Sequence, residues 1–198
     1  MSRSSAPPPP SSEPSLAEKV ILIEAAFRSA RIPHAFGGAI ALAYYATPRA
    51  TIDIDVNVFV ESSRAEDVLT ALGRLGAAAP TESEEVRLRR DGQARIRWGG
   101  TPIDLFFSYD AFHEACMERR HAYPFGPGET IHVLAAEDLV VFKAIFAREK
   151  DWRDIGEIVF AADDDLDAGW ITTWLERIVG RDDERFRRCA EILRTGAR

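Results

Sequence analysis

The 198-residue sequence predicts an α/β (α+β) fold, in which a small mixed sheet of about five strands is flanked by helices and followed by a C-terminal helical bundle. Three observations carry this reading. Residues 51–60 and 101–107 alternate apolar and polar positions as strands do. Runs of helical period lie between them, and from Glu137 onward the apolar residues recur only at helical spacing. The hydrophobic content of 46% suits a globular chain long enough to bury a core. The expected organisation is a disordered tail over residues 1–14, an α/β core over 15–134 and a helical region over 135–198.

Residues 1–14, MSRSSAPPPPSSEP, are rich in Pro and Ser with almost nothing to bury. Leu16, Val20, Ile23, Phe27 and Ala30 then mark an amphipathic first helix, ended by Ile32-Pro33. His34–Phe36 is a short strand feeding the Gly37-Gly38 turn, and a helix runs from there to about Ala46. In the strand over Thr51–Val60, Ile52, Ile54, Val56 and Val58 point inward and Asp53 and Asp55 project from the other face. Ser63-x-x-Glu66 forms a capping box for a helix ending near Leu75, with Val68, Leu69, Leu72 and Leu75 as its buried face. Glu85–Arg90 and Ala94–Trp98 read as a hairpin about Asp91-Gly92. A strand over Thr101–Phe107 follows, then a short helix over Phe112–Arg120, a loop over Tyr123–Gly128 and a last strand over Thr130–Leu134. The helical end comprises Glu137–Ala147, Trp152–Ala162, Ala168–Val179 and Asp182–Leu193.

Composition narrows the function. No window holds the roughly 18 apolar residues that span a bilayer, and the N-terminus lacks a signal pattern, so we expect a cytoplasmic protein without membrane association. Cys116 and Cys189 are isolated, which excludes a disulfide framework or zinc ribbon. The four histidines, His34, His113, His121 and His132, show no tight ligand spacing. A net charge of −7 disfavours wholesale nucleic-acid binding, while the arginines at 87, 89, 90, 95 and 97 leave room for a local patch.

The chemistry concentrates in residues 36–60. Asp53 and Asp55 lie on one strand face with Cα atoms roughly 6–7 Å apart, a seat for a hard cation such as Mg2+ or Mn2+ that prefers oxygen ligands. Gly37 and Gly38 let a phosphate approach the backbone, where the N–H groups opening the next helix form an anion site. Asp104 sits between Ile103 and Leu105 in an apolar strand, where a carboxylate needs a partner or a metal.

Gly37-Gly38, Arg49-x-Thr51 and Asp53-Ile54-Asp55 together resemble the signature of the polymerase-β-type nucleotidyltransferase superfamily. They are most similar to its small bacterial branch, which holds aminoglycoside and lincosamide nucleotidyltransferases and AbiEii-type toxins. Gly38 stands where other members carry Ser, so any contact from that hydroxyl is absent. A second segment, with Lys143, Arg148, Lys150, Asp151 and Asp154, resembles the same branch. The resemblance implies an NTP co-substrate and metal-dependent transfer of a nucleoside monophosphate. It implies metal ligation by Asp53, Asp55 and Asp104, the last also a candidate general base for the acceptor hydroxyl. Gly37, Gly38, Lys143 and Arg49 would hold the phosphates, and Asp151 and Asp154 are expected with them among the nucleotide-binding residues. Two plainer roles stand beside these: Lys143 as a snorkelling lysine and Asp151 as an N-cap for a helix at Trp152. The acceptor implied is tRNA or a protein for a toxin-like member, with a cognate antitoxin as partner, or an antibiotic hydroxyl for a resistance-like one. A non-catalytic nucleotide- or partner-binding module is the rival class.

Overall fold

The computed structural model describes residues 13–196. The expected disordered tail therefore lies outside the described residues except for Glu13 and Pro14. Glu13 is not loose: its carboxylate meets the Lys19 ammonium and accepts the Gly100 N–H at 3.0 Å.

Helix α1 spans Leu16–Ser29, opened by a reciprocal capping box between Ser15 and Glu18, and buries Val20, Ile23 and Phe27. Strand β1 (His34–Phe36) leads through Gly37 into α2 (Gly38–Tyr45), and β2 covers Ile54–Glu61. Helices α3 (Ala65–Arg74) and α4 (Glu82–Asp91) precede the hairpin of β3 (Gln93–Trp98) and β4 (Thr101–Ser108). Next come α5 (Ala111–Arg119), β5 (His121–Pro124) and β6 (Thr130–Val133). The chain ends in α6 (Ala136–Phe146), α7 (Glu149–Ala162), α8 (Ala168–Val179) and α9 (Glu184–Thr195).

The strands form one mixed sheet in the order β3-β4-β2-β1-β6-β5. Strands β2 and β4 run parallel at its centre, in a register that pairs Asp55 with Asp104 and Asn57 with Phe106. The intervening residues Ile54, Val56, Val58, Ile103, Leu105 and Phe107 are fully buried on the opposite face. One face of the central strands is thus wholly apolar, and the other is left for chemistry.

Five local expectations fail. Glu85–Arg90 is helix α4 rather than strand: Thr81 caps it, Glu82, Glu84 and Glu85 fill its first turn, and Arg89 pairs with Glu85 one turn back. Asp91-Gly92 is accordingly a helix end, with Gly92 left-handed at φ 65°, and not a hairpin turn. Strand β2 starts at Ile54, so Ile52 is exposed rather than inward-facing. The Ser63 capping box does not form; a 3₁₀ turn over Ser62–Arg64 leads into α3 without a side-chain cap. Residues 121–124, expected within or beside a loop, pair with β6 as the edge strand β5.

Candidate active site

The site is built where β1 ends and α2 begins, beside the start of β2. Gly37 donates its N–H to the Asp55 carbonyl at 2.9 Å, which fixes the turn against β2. Gly38 adopts φ +53°, and a Cβ there would stand 1.8 Å from Asp55 Oδ2. Both facts require glycine, and they place the Asp55 carboxylate directly over the first turn of α2. At Gly37 a Cβ would meet Asn57 Nδ2 at 2.9 Å, so Asn57 packs into the same turn.

Asp53 precedes β2 and is held by the Thr51 hydroxyl. Burial works against its charge, yet the Thr51 hydrogen bond and the fields of Lys150 and Arg95 keep its carboxyl below the ordinary range. Asp55 behaves oppositely. Burial, reinforced by the nearby charges of Asp53 and Asp104, pushes its carboxyl up to about 6. Asp55 accepts no side-chain hydrogen bond from any described residue. Asp104, brought beside Asp55 by the β2–β4 register, is gripped by Arg95, whose Nε and Nη2 donate to its two oxygens at 2.6 Å each.

The fold sets Asp104 beside Asp55, and the charges of Asp53 and Asp104 both bear on Asp55. Asp53 and Asp55 line a cavity with Gly38, Arg49, Lys143 and Asp151. Asp154 lies behind it, where Arg49 binds it through Nε at 3.1 Å and Nη2 at 3.0 Å and Lys143 through Nζ at 2.5 Å. This cluster ties the segment before β2 to α6 and α7. Opposed by burial but carried by Arg49 and Lys143, the Asp154 carboxyl stays below its usual range. Asp151 is not an N-cap at Trp152. It is the third residue of α7, and its carboxylate accepts the Arg148 N–H at 3.1 Å and Arg148 Nε at 2.6 Å.

Asn57, Phe106, Phe142, Phe146, Arg148 and Lys150 also line the cavity, although none of them is assigned to it from sequence. For Asn57 the period-two rule was a sufficient signal, since it shares a strand face with Asp55. Lys150 has no ion-pair partner among the described residues, so its ammonium is uncommitted beside Asp53.

The donor set fits a hard divalent cation. Two carboxylates meet at one cavity, and one of them, Asp55, carries a charge that neighbouring groups destabilise and no hydrogen bond relieves. Asp104, paired with Arg95, does not line this cavity.

This is the α/β architecture of nucleotidyltransferases. The particular likeness is to the antibiotic-resistance factor ANT(2'')-Ia. Its solution structure superposes with a TM-score of 0.52 at 16% identity, over 90% of this chain and 91% of that one. The crystal structure of ANT(2'')-Ia in complex with adenylyl-2''-tobramycin gives a TM-score of 0.52 at 15% identity, over 81% and 95% of the two chains. No family model and no curated protein sequence matches the chain. Among the described residues no helix is long and apolar enough to cross a membrane.

Proposed function

We propose that the protein transfers a nucleoside monophosphate from an NTP to a hydroxyl-bearing acceptor. The observation that carries this is the parallel register setting Asp104 beside Asp55, with Asp53 adjacent and the first turn of α2 beneath. A divalent cation bound by Asp53 and Asp55 would supply charge neutralisation for the triphosphate. The chain's own residues do the rest. The first N–H groups of α2, at a turn free of side chains at Gly37 and Gly38, would take the phosphate oxygens. Lys150 and the exposed Arg148 are the cations at the cavity with reach to phosphate. Lys143 and Arg49 hold the cleft wall through Asp154 and contribute positive field from there.

In the transfer, the acceptor oxygen bonds to the α-phosphorus as the bond to the bridging oxygen breaks and pyrophosphate leaves. Asp104, released by Arg95, accepts the hydroxyl proton. Freed from Asp104, Arg95 becomes a cation at the acceptor side. The acceptor classes carried forward are tRNA, a protein and an aminoglycoside-type antibiotic. The likeness to ANT(2'')-Ia supports keeping the last beside the first two.

The test is incubation with Mg2+, each α-32P NTP in turn, and total tRNA, a bacterial lysate or an aminoglycoside panel. Label on one acceptor class, lost in Asp53→Ala, is the expected result. NTP binding without label on any acceptor would favour the non-catalytic module. Absence of both NTP and Mg2+ binding would overturn the reading.

A further inference from the structure

The opposite face of the sheet carries a second cluster that the transfer reaction does not use. His34 shares its face with Phe36 and Val56, away from Asp55 and Asn57. Its Nε2 lies 2.9 Å from Oε2 of Glu24 on α1, and Oε1 of the same carboxylate lies 2.9 Å from Nδ1 of His132 on β6. One ligand-type atom from each of the three residues falls within 4.8 Å of the others. Glu24 and His34 are almost wholly buried, and His132 is about one-third exposed. The histidines stand 98 positions apart in the chain, so no spacing rule could have paired them.

We propose that Glu24, His34 and His132 form a binding site for a borderline divalent cation, Zn2+ in particular. Two imidazoles and one carboxylate are a donor set that zinc takes with a fourth position left open. The outer contacts are those of a ligand set. His34 Nδ1 lies 3.0 Å from the Ile32 carbonyl, which only accepts, so Nδ1 carries the proton and Nε2 is the atom aimed at Glu24. Glu24 is further oriented by the His132 backbone N–H at 3.0 Å. Zinc–ligand bonds of about 2.0–2.1 Å put tetrahedral neighbours about 3.3 Å apart. The two 2.9 Å pairs use different oxygens of Glu24, and one donor atom from each residue lies within 4.8 Å of the others, so closing on a single ion takes side-chain shifts of up to about 1.5 Å.

The fourth position faces a cavity of about 360 Å3 that Arg28, Arg31 and Arg120 also line. None of these arginines has a carboxylate partner among the described residues. They oppose a bare dication and favour an anion as its fourth ligand. The site would clamp α1 to β1 and β6 on the side of the sheet away from the transfer chemistry.

The test is calorimetric titration of Zn2+ into the full chain carrying Asp53→Asn and Asp55→Asn, which removes the competing carboxylate seat. Co2+ replaces Zn2+ in a parallel absorption experiment. One Zn2+ per chain is expected, with visible Co2+ bands of four-coordinate intensity and a rise in melting temperature on Zn2+ addition. Loss of an outer-shell partner weakens zinc about 10–100-fold, so loss of a ligand in His132→Ala should weaken it about a hundredfold or more. His132 is partly exposed, and circular dichroism checks that this variant folds. No Zn2+ binding would make the cluster a structural carboxylate–imidazole pair and overturn the proposal. Binding unchanged in both His132→Ala and Glu24→Gln would overturn it equally.

Discussion

Replacing Asp55 by Asn should abolish transfer and yet stabilise the metal-free protein. In the native fold burial and the charges of Asp53 and Asp104 raise the Asp55 carboxyl from 3.8 to about 6. A raised acid pKa means that the folded state holds the proton more tightly than the unfolded chain. The stability contribution is then fully present below the unfolded value near 3.9 and is lost as pH rises through about 6. At about 1.36 kcal/mol for each pH unit between the two values, ionised Asp55 costs the fold roughly 3 kcal/mol at pH 7.5. An uncharged, nearly isosteric Asn escapes that cost but forfeits a little to imperfect hydrogen bonding, so a gain of about 1–3 kcal/mol is expected. Urea denaturation of both proteins in EDTA, at pH 7.5 and at pH 4, reads the difference directly. It should be large at pH 7.5 and close at pH 4, and saturating Mg2+ should narrow it by stabilising only the native Asp55 protein. An Asn variant less stable than native at pH 7.5, or a difference independent of pH, would mean that ionised Asp55 does not strain the fold.

Other substitutions probe the neighbouring contacts. Asp154→Ala leaves buried Lys143 without its carboxylate and releases the exposed Arg49, so denaturation should show a loss of about 3–5 kcal/mol, most of it from Lys143. Gly38→Ala must place a Cβ on Asp55 Oδ2 and adopt φ +53°. It should cost about 1–2 kcal/mol in stability and, through displacement of Asp55, about a hundredfold in turnover. Arg95→Ala removes the competitor for Asp104, so the Mg2+ concentration for half-maximal transfer should fall several-fold. Stability should change by no more than about 1 kcal/mol, because Arg95 is half exposed.

The fold was legible wherever period and burial agree. Alternation in Ile54–Val58 and Ile103–Phe107 is that of a sheet with one apolar face, and both strands form. The failure over Glu85–Arg90 arose because Val86 and Leu88 alternate as strand residues do, while the Thr81 cap and acidic first turn ahead of them decide for helix. Val86 is in fact exposed, so the alternation reflected no buried face. Strand β5 is short, edge-placed and mostly exposed, and it exists only because β6 pairs with it. At the site, local sequence revealed Gly37, Gly38, Asp53 and Asp55. It did not reveal that Lys143 and Arg49 converge on Asp154, or that Arg95 faces Asp104 across the hairpin, because those contacts depend on tertiary register.

The most direct measurement is a crystal structure with Mn2+ and a non-hydrolysable NTP analogue, read by anomalous scattering. A Mn2+ peak is expected within coordination distance, about 2.2 Å, of both Asp53 and Asp55. The triphosphate should lie against the first turn of α2 with Lys150 on its flank, and Arg95 should have turned away from Asp104. A nucleotide bound elsewhere, or Mn2+ absent from the two aspartates with nucleotide in place, would contradict the proposed site.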